Sequence, residues 1–461
     1  MRAAASTLAL ASMALSLILP PPARAQDLSI PFAKTTLPNG LVVIFSEDHS
    51  VPQVAVNVTY KVGSRFERPG RTGFAHLFEH LMFMGTKRAP TKAFDAWMEA
   101  AGGRNNAWTA EDRTDYFDIA PPTALHLLLW LEADRMRELG PLIDQAKLNL
   151  QREVVRNERR QSIENRPYGV EELELPELLW PEGHPYHHPV IGSHGDLEAA
   201  EVADVKEFFA TWYDPANASL VVVGDFDAQQ TRADIDRWFS TVPSRGKPQD
   251  PGAPGFSDDR TTLGAVTRKT SQDDVELAKV TIAWQSPRHF APGDAELDLL
   301  ASILSQGKES RLYKSLVYEQ KIAQQVSARQ ESRALGSDFV VDALVRPGVD
   351  PAKVERALFD QVAKARSQEV SEEELDRARN SYEMEFVDRL QSIPERASLL
   401  NEYQAEVGDP GFLQRDLERY RRAAPKDLLE YANKVLRPDA VVVLTIVPKG
   451  EARKDSAEGK P

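Results

Sequence analysis

The sequence predicts an α+β fold of two similar domains, each a mainly antiparallel sheet packed with helices. Three observations lead to this prediction. Strand-like, β-branched runs alternate with longer helical stretches along the chain. A helix leading into a Val-rich strand occurs near the end of each half, at residues 203–223 and 425–447. Between the halves, residues 241–259 are rich in Pro, Gly, Ser and charge, which is typical of an exposed linker. We therefore expect a diverged duplication.

The first half carries most of the predicted strands. β-branched runs predict strands at residues 41–46, 54–61, 106–109, 115–119 and 218–223. Helices are predicted at residues 73–85, 92–101, 122–139, 143–165 and 203–212, followed by one that ends at Phe239. Residues 173–201 are rich in Pro and His and are predicted to form a loop.

The second half partly repeats this order of elements. Strands are predicted at residues 277–284, near Gln325, near Val340 and at residues 440–447. Helices are predicted at residues 295–304, 351–367, 372–390 and 425–436. We accordingly divide the chain into an N-terminal domain (26–245), a linker (246–262), a C-terminal homologous domain (263–450) and a polar, disordered tail (451–461).

Composition limits the classes of partner and site. Of 461 residues, 42% are hydrophobic and 27% are charged, as in an ordinary soluble globular protein. The formal net charge of −14 argues against nucleic acid or an anionic membrane surface as the main partner. Because the chain has no Cys, a bound metal would have to be held by His, Asp and Glu.

Residues 1–25 are predicted to be a cleavable signal peptide. A short basic start precedes an apolar run at residues 3–19, and Ala23-Arg24-Ala25 forms a small-x-small cleavage site. The alternative is an N-terminal membrane anchor, but the apolar run is short and ends in three prolines. We expect cleavage after Ala25, no stable membrane anchor and, in a Gram-negative bacterium, a location in the periplasm.

The motif H-x-x-E-H occupies residues 76–80 in an apolar helix that Gly85 ends. His76 and His80 are four residues apart, so both imidazoles leave the same helix face one turn apart. Glu79 falls on the same side. Two neutral imidazoles can share Zn²⁺, and a neighbouring carboxylate can take a proton from a bound water. This order is that of the inverted zincins. A catalytic zinc usually has a third protein ligand, which must come from elsewhere in the chain.

The helix that includes residues 151–162 is the best source of that ligand, and here the sequence resembles the pitrilysin/insulinase family of zinc peptidases. The resemblance rests on Gly63-Ser64 with Glu67, Gly73–Thr86, Gly102-Gly103 with Asn106, Ala107 and Thr109, and Val154–Glu158. It extends weakly over essentially the whole mature chain. It implies that His76, His80 and Glu158 bind one zinc ion per chain and that Glu79 is the catalytic base.

The residues around Glu158 bear on this assignment. Val154 and Val155 precede it by four and three residues, which predicts a buried helix face where a carboxylate needs a cationic partner. Glu153 points to the other side and is expected to be a surface acid. Family members often carry a Glu seven residues before the ligand. Here Gln151 holds that position, so we expect a hydrogen bond behind the site but no added charge.

The resemblance implies peptide hydrolysis, with Glu79 accepting the proton of a water on zinc and passing it to the leaving amine. Asn106, Ala107 and Trp108 resemble the family's edge strand, to which a substrate adds as an extra β-strand. Backbone pairing of this kind suits unfolded peptides of varied sequence. The alternative is an ordinary edge strand capped by Asn105 and Asn106.

One part of the expected site is missing from the chain. Family members with a complete site usually carry an Arg and a Tyr seven residues apart, which stabilise the substrate carbonyl as it becomes an oxyanion. Here Val317 and Gln324 occupy those positions, and Arg311 and Tyr313 are only two apart. We therefore expect the zinc-bearing chain of a heterodimer, in which a related subunit lacking H-x-x-E-H supplies the pair.

The sequence also allows other interpretations. A second metal cluster is conceivable in the histidine-rich loop, but the prolines favour a structural or substrate-lining role for His184, His187, His188 and His194. A non-catalytic scaffold or peptide-binding subunit is the alternative from another class, and a degraded motif would be its expected sign. The sequence does not separate broad peptide degradation from the processing of one precursor.

Overall fold

A computed structural model describes residues 28–253 and 263–450 and contains two β-sheets, one formed by each half of the chain. The predicted signal peptide (1–25), the tail (451–461) and residues 254–262 of the predicted linker lie outside the described residues. Within the described ranges, none of the helices combines the length and the apolar character needed to cross a membrane.

The first half contains six strands and eight α-helices within its described residues. In order these are β1 (Ala33–Thr36), β2 (Val42–Glu47), β3 (Val54–Tyr60), α1 (Phe74–Leu81), α2 (Ala93–Ala100), β4 (Arg104–Thr109), β5 (Thr114–Ala120), α3 (Leu125–Leu142), α4 (Gln145–Glu158), α5 (Val170–Leu179), α6 (His194–Glu198), α7 (Val202–Trp212), β6 (Ala218–Gly224) and α8 (Ala228–Phe239). A π-helical turn, Arg159–Glu164, continues α4.

The second half contains five strands and six α-helices in the part of the chain that is described. In order these are β7 (Val266–Asp273), β8 (Lys279–Ser286), α9 (Asp294–Ser305), β9 (Ala323–Glu331), β10 (Ser337–Val345), α10 (Pro351–Ser367), α11 (Glu372–Gln391), α12 (Ile393–Val407), α13 (Leu413–Arg422), α14 (Pro425–Val435) and β11 (Val441–Pro448). A second π-helical turn, Tyr313–Glu319, precedes β9.

The two sheets have the same topology, as a duplication requires. The strand order is β1-β2-β6-β3-β5-β4 in the first sheet and β7-β11-β8-β10-β9 in the second. If β1 is set aside, each sheet has five strands. Numbered by their order in the chain, these strands lie across each sheet in the order first, last, second, fourth, third. In both, only the first and last strands of that series pair in parallel, and the other pairs are antiparallel. The predicted α+β fold of two similar, mainly antiparallel units is confirmed.

Both faces of each sheet are buried, and each half covers one face of the other half's sheet. On β2, Val43 and Phe45 face the helices of the first half, whereas Ile44 packs with the cluster formed by α12. Helix α12 lies across β3 and β6. Reciprocally, Leu179 at the end of α5 packs with Ala283 of the second sheet. The first unit therefore needs a helix from the second half, and the second unit needs one from the first.

Several elements were not predicted, for identifiable reasons. The predicted loop at residues 173–201 is wrong in two places, because the second part of α5 and the whole of α6 lie within it. Helix α5 contains Pro176 in its interior and is stabilised by packing on the second sheet. Strands β1 and β7 are polar edge strands, whose exposed residues leave no alternating apolar signal. Helices α12 and α13 were also missed.

Candidate metal centre and active site

Helix α1 carries the H-x-x-E-H motif, and its start is determined by two residues that precede it. Gly73 adopts a left-handed conformation with φ +87°, and a Cβ there would lie 2.6 Å from the Ile191 carbonyl oxygen. Since Gly73 has no side chain to cap the helix, the buried Glu67 carboxylate accepts its N–H at 2.9 Å and that of Ala75 at 2.7 Å. This cap fixes the first turn of α1, and His76 is the residue that follows the capped Ala75.

The structure brings three predicted ligands together. His76 Nε2 lies 3.6 Å from Glu158 Oε1, and His80 Nε2 lies 3.1 Å from Glu158 Oε2. One candidate ligand atom from each residue lies within 4.8 Å of the others. Tetrahedral zinc with bonds of about 2.1 Å separates its ligand atoms by about 3.4 Å, close to these distances. The arrangement joins α1 to the C-terminal end of α4, which pack against each other.

The electrostatics of the cluster favour the forms that bind zinc. Burial, followed by the neighbouring His80 charge, lowers the pKa of His76 to about 4, so its imidazole is neutral near pH 7. The hydrogen bond with His80 lowers the pKa of Glu158, which keeps this side chain a carboxylate. Neutral imidazole and ionised carboxylate are the protonation states that zinc requires. The donor set of two imidazoles and one carboxylate therefore fits this ion.

Glu79 belongs to α1, and its side chain lies beside the cluster and reaches the strand β4. Its carboxylate is buried, and its Oε2 accepts a hydrogen bond of 2.6 Å from the Thr109 hydroxyl. Burial raises the pKa of Glu79 above its ordinary value, while the Thr109 hydrogen bond opposes that rise. A carboxylate with a raised pKa is better matched to accepting and returning a proton near neutral pH.

The predicted substrate strand is an edge strand. β4 is the outermost strand of the first sheet and pairs only with β5, so one backbone edge is free within the described structure. A cleft of about 320 Å³ lies along it and is lined by His76, Glu79, Ala107, Trp108, Thr109, Glu158, Ser162, Ile163, Arg166, Glu172, Val190 and Ile191. The residues Ala107 and Trp108 thus lie at the candidate site. Asn106 does not line the cleft, and its side chain accepts the Ala107 N–H.

Two expectations about α4 need correction. Val155 is fully buried as predicted, but Val154 is 40% exposed, so the helix face before Glu158 is buried only in part. The Glu158 side chain is itself 40% exposed and lines the cleft together with His76. Gln151 donates to the Met84 sulfur at 2.7 Å, and within the described residues it forms no hydrogen bond to the three candidate ligands. Glu153 is exposed and pairs with Arg156, as expected for a surface acid.

The histidine-rich loop does not form a second metal cluster within the described residues. His184 stacks on Trp180, and His194 pairs with Glu164 at 3.0 Å. A different group, His289 with Glu402 and Glu406, has the geometry of metal ligands. There Arg113 pairs with both glutamates and Arg389 pairs with Glu402, so arginine side chains already hold these carboxylates without an ion. This group was not predicted, because His289 is more than 110 residues from the two glutamates in sequence.

Comparisons with known proteins show similarity to peptidases over most of the chain. Residues 42–181 match the family model described as insulinase (peptidase family M16), and residues 199–382 match that of the peptidase M16 inactive domain. The chain is 28% identical to the zinc protease PqqE of Helicobacter pylori over 415 residues, covering 90% of this chain and 92% of that protein.

Solved structures share the fold. The crystal structure of a protease from Helicobacter pylori superposes with a TM-score of 0.83 at 26% identity, covering 91% of this chain and 100% of that one. The first half of the periplasmic protease PqqL from Escherichia coli superposes with a TM-score of 0.72 at 18% identity, covering 91% and 93% of the two chains. At that identity the likeness concerns the fold alone.

Proposed function

This chain belongs to the insulinase family of peptidases, family M16, and on that premise we propose that it is a zinc metalloendopeptidase acting on unfolded peptides. The observation that carries the proposal is the convergence of His76, His80 and Glu158 beside Glu79 and a free strand edge. Relatives named zinc proteases support the same chemistry.

His76, His80 and Glu158 would hold the zinc ion. A zinc ion bound there supplies Lewis acidity, which lowers the pKa of a water and polarises a carbonyl group. Glu79 accepts the proton of the attacking water and returns it to the leaving amine, a role that its buried position and raised pKa support. The free edge of β4 pairs with the peptide backbone and holds the scissile bond in the cleft. Because this pairing uses main-chain groups, side-chain requirements on the substrate are weak.

The chain's own carbonyl-stabilising donors are the missing part, and we propose that a related subunit supplies them. Val317 lies in the π-helical turn before β9 and packs its apolar side chain against the second core. Gln324 is exposed at the start of β9. Neither provides a cationic donor, so a heterodimer with an Arg/Tyr-bearing partner is the proposed active form.

The proposed location is the periplasm. The support is the signal-peptide pattern of residues 1–25 together with the likeness in fold to a periplasmic protease. Cell fractionation with an antibody against the chain tests this location. Recovery of the uncleaved chain from the cytoplasm would contradict it.

The function is tested with the purified mature chain, alone and coexpressed with a related chain that lacks H-x-x-E-H. We expect zinc-dependent cleavage of a quenched fluorogenic peptide, more than about 100-fold weaker in Glu79→Gln although zinc is retained. Glu153→Gln, which removes an exposed acid from α4, is the matched control and leaves the rate unchanged. Peptide binding without cleavage in either preparation would instead favour the non-catalytic scaffold. If the isolated chain is fully active and the partner does not change its rate, the proposal of a heterodimer is wrong.

A further inference from the structure

We propose that Thr109 is a positioning residue for the base: its hydroxyl holds one oxygen of the Glu79 carboxylate and leaves the other free to accept the proton. The inference rests on the proposed function and deepens it. Its basis is geometric. Thr109 Oγ1 donates to Glu79 Oε2 at 2.6 Å, a charge-assisted hydrogen bond.

The two carboxylate oxygens have different surroundings. Within residues 28–253 and 263–450, no side chain or backbone group of the protein bonds to Oε1 of Glu79, while Oε2 is held by Thr109. Both residues line the cleft that also contains His76 and Glu158. A carboxylate bonded through one oxygen cannot rotate freely, so the other oxygen keeps a constant direction relative to the candidate ligands. Holding a catalytic group in the reactive geometry lowers the free-energy barrier to proton transfer.

Thr109 can act in this way because its own position is fixed. It is the last residue of β4 and lies opposite Thr114 of β5, and the adjacent Ala110 N–H bonds the Arg113 carbonyl at 2.9 Å. The guanidinium of Arg113 in turn pairs with glutamates of α12, in the second half of the chain. The turn is held from another side as well, because Arg333 pairs with Glu111 at 3.0 Å.

The position of Thr109 at the end of β4 has a second consequence. The preceding residues, Ala107 and Trp108, belong to the same strand edge that would pair with a peptide. Glu79 is therefore hydrogen-bonded to the same strand that would hold the substrate. As a result, β4 positions both the proton acceptor and the scissile bond. A hydroxyl at residue 109 thus serves the chemical step rather than substrate affinity.

The test compares three variants of the full zinc-loaded chain, each assayed with the related subunit present. Thr109→Val keeps the shape and the β-propensity but removes the hydroxyl, whereas Thr109→Ser keeps the hydroxyl. We expect the Val variant to lower kcat by about 10- to 100-fold, with KM and zinc content within twofold of wild type. The Ser variant should retain at least about a third of the wild-type kcat. If the Val variant does not fold, Thr109→Ala takes its place.

Thr114→Val is the matched control, since it removes a hydroxyl from the opposite residue, where the bond goes to the Val62 carbonyl at 2.8 Å. Its kcat per folded molecule should equal that of wild type. An active wild type with an unchanged Thr109→Val kcat, or a Ser variant as slow as Val, would overturn the inference alone. An increase in KM with constant kcat would assign Thr109 to binding and also overturn it. A wild-type chain inactive under all conditions would overturn the proposed function and this inference with it.

Discussion

Removing the buried carboxylate of Glu67 should loosen the start of α1, the helix that presents both candidate imidazoles. The Glu67 side chain has no exposed surface and caps the N–H groups of Gly73 and Ala75. In Glu67→Ala both groups lose their partner in a buried setting, at about 1–3 kcal/mol each. Part of this cost is offset, because burial raises the pKa of Glu67 well above its ordinary value and so makes the carboxylate itself expensive. We expect a net local loss of about 2–4 kcal/mol.

Hydrogen exchange measures this loss where it occurs. A local opening that is easier by about 2–4 kcal/mol speeds exchange of the α1 amides by about 30- to 1,000-fold, since about 1.4 kcal/mol corresponds to a factor of ten. The peptide covering residues 73–86 is followed by mass spectrometry in the metal-free chain, so that zinc binding does not enter. Glu207→Ala is the control, because Glu207 forms an exposed ion pair with Arg68. Exchange within threefold of wild type, or equal acceleration in the control, would refute the capping argument.

Three further predictions concern the metal, the pH dependence and the packing of the two halves. Glu158→Gln should weaken zinc binding more than about 100-fold, because even groups behind metal ligands are worth about 10–100-fold; stoichiometric zinc after dialysis against a chelator would remove Glu158 from the site. Arg311 lowers the pKa of Glu374 from 4.5 to about 2, so this pair stabilises the fold above pH 4.5 and is lost as the pH falls towards 2. In Glu374→Gln the free energy of unfolding, measured with urea, should therefore change less between pH 4.5 and about 2. An unchanged dependence of this free energy on pH would contradict the pairing. Leu400→Ala removes a fully buried side chain of α12 and should cost about 2–5 kcal/mol, with faster hydrogen exchange in β6; acceleration confined to the second half would contradict the packing described here.

The sequence could predict those parts of the site that lie within one helix. His76 and His80 share a face of α1 because four residues make about one turn, and their distances to a common partner follow from that spacing. Glu158 is 78 residues further along, so only the resemblance to a family identified it. The argument from Val154 and Val155 pointed to the same residue for a reason that is only half right, since Val155 is buried but Val154 is exposed. Periodicity tells which residues share a helix face, but not which face the rest of the protein covers.

The roles of Glu67 and Thr109 were beyond the sequence for a related reason. Both belonged to the motifs of the resemblance, yet neither had an assigned role, because their partners are backbone groups and a carboxylate brought close by the fold. A glycine directly before an apolar helix was the available sequence signal for Glu67. Gly73 leaves the helix without a side-chain cap, so a polar side chain from nearby has to replace it. No comparable local signal existed for Thr109.

The division into two similar halves was predictable, whereas their mutual dependence was not. Alternation along β3 places Ala55 towards α12, and that side chain is too small to mark a second buried face on its own. The contact is specific as well as apolar: the Asn401 amide donates to the carbonyls of Asn57 at 3.1 Å and Ser219 at 3.3 Å. Since the turn after β4 is also held by residues of the second half, the geometry of the proposed active site depends on that half. A unit that contributes none of the candidate ligands can thus still be required for their arrangement.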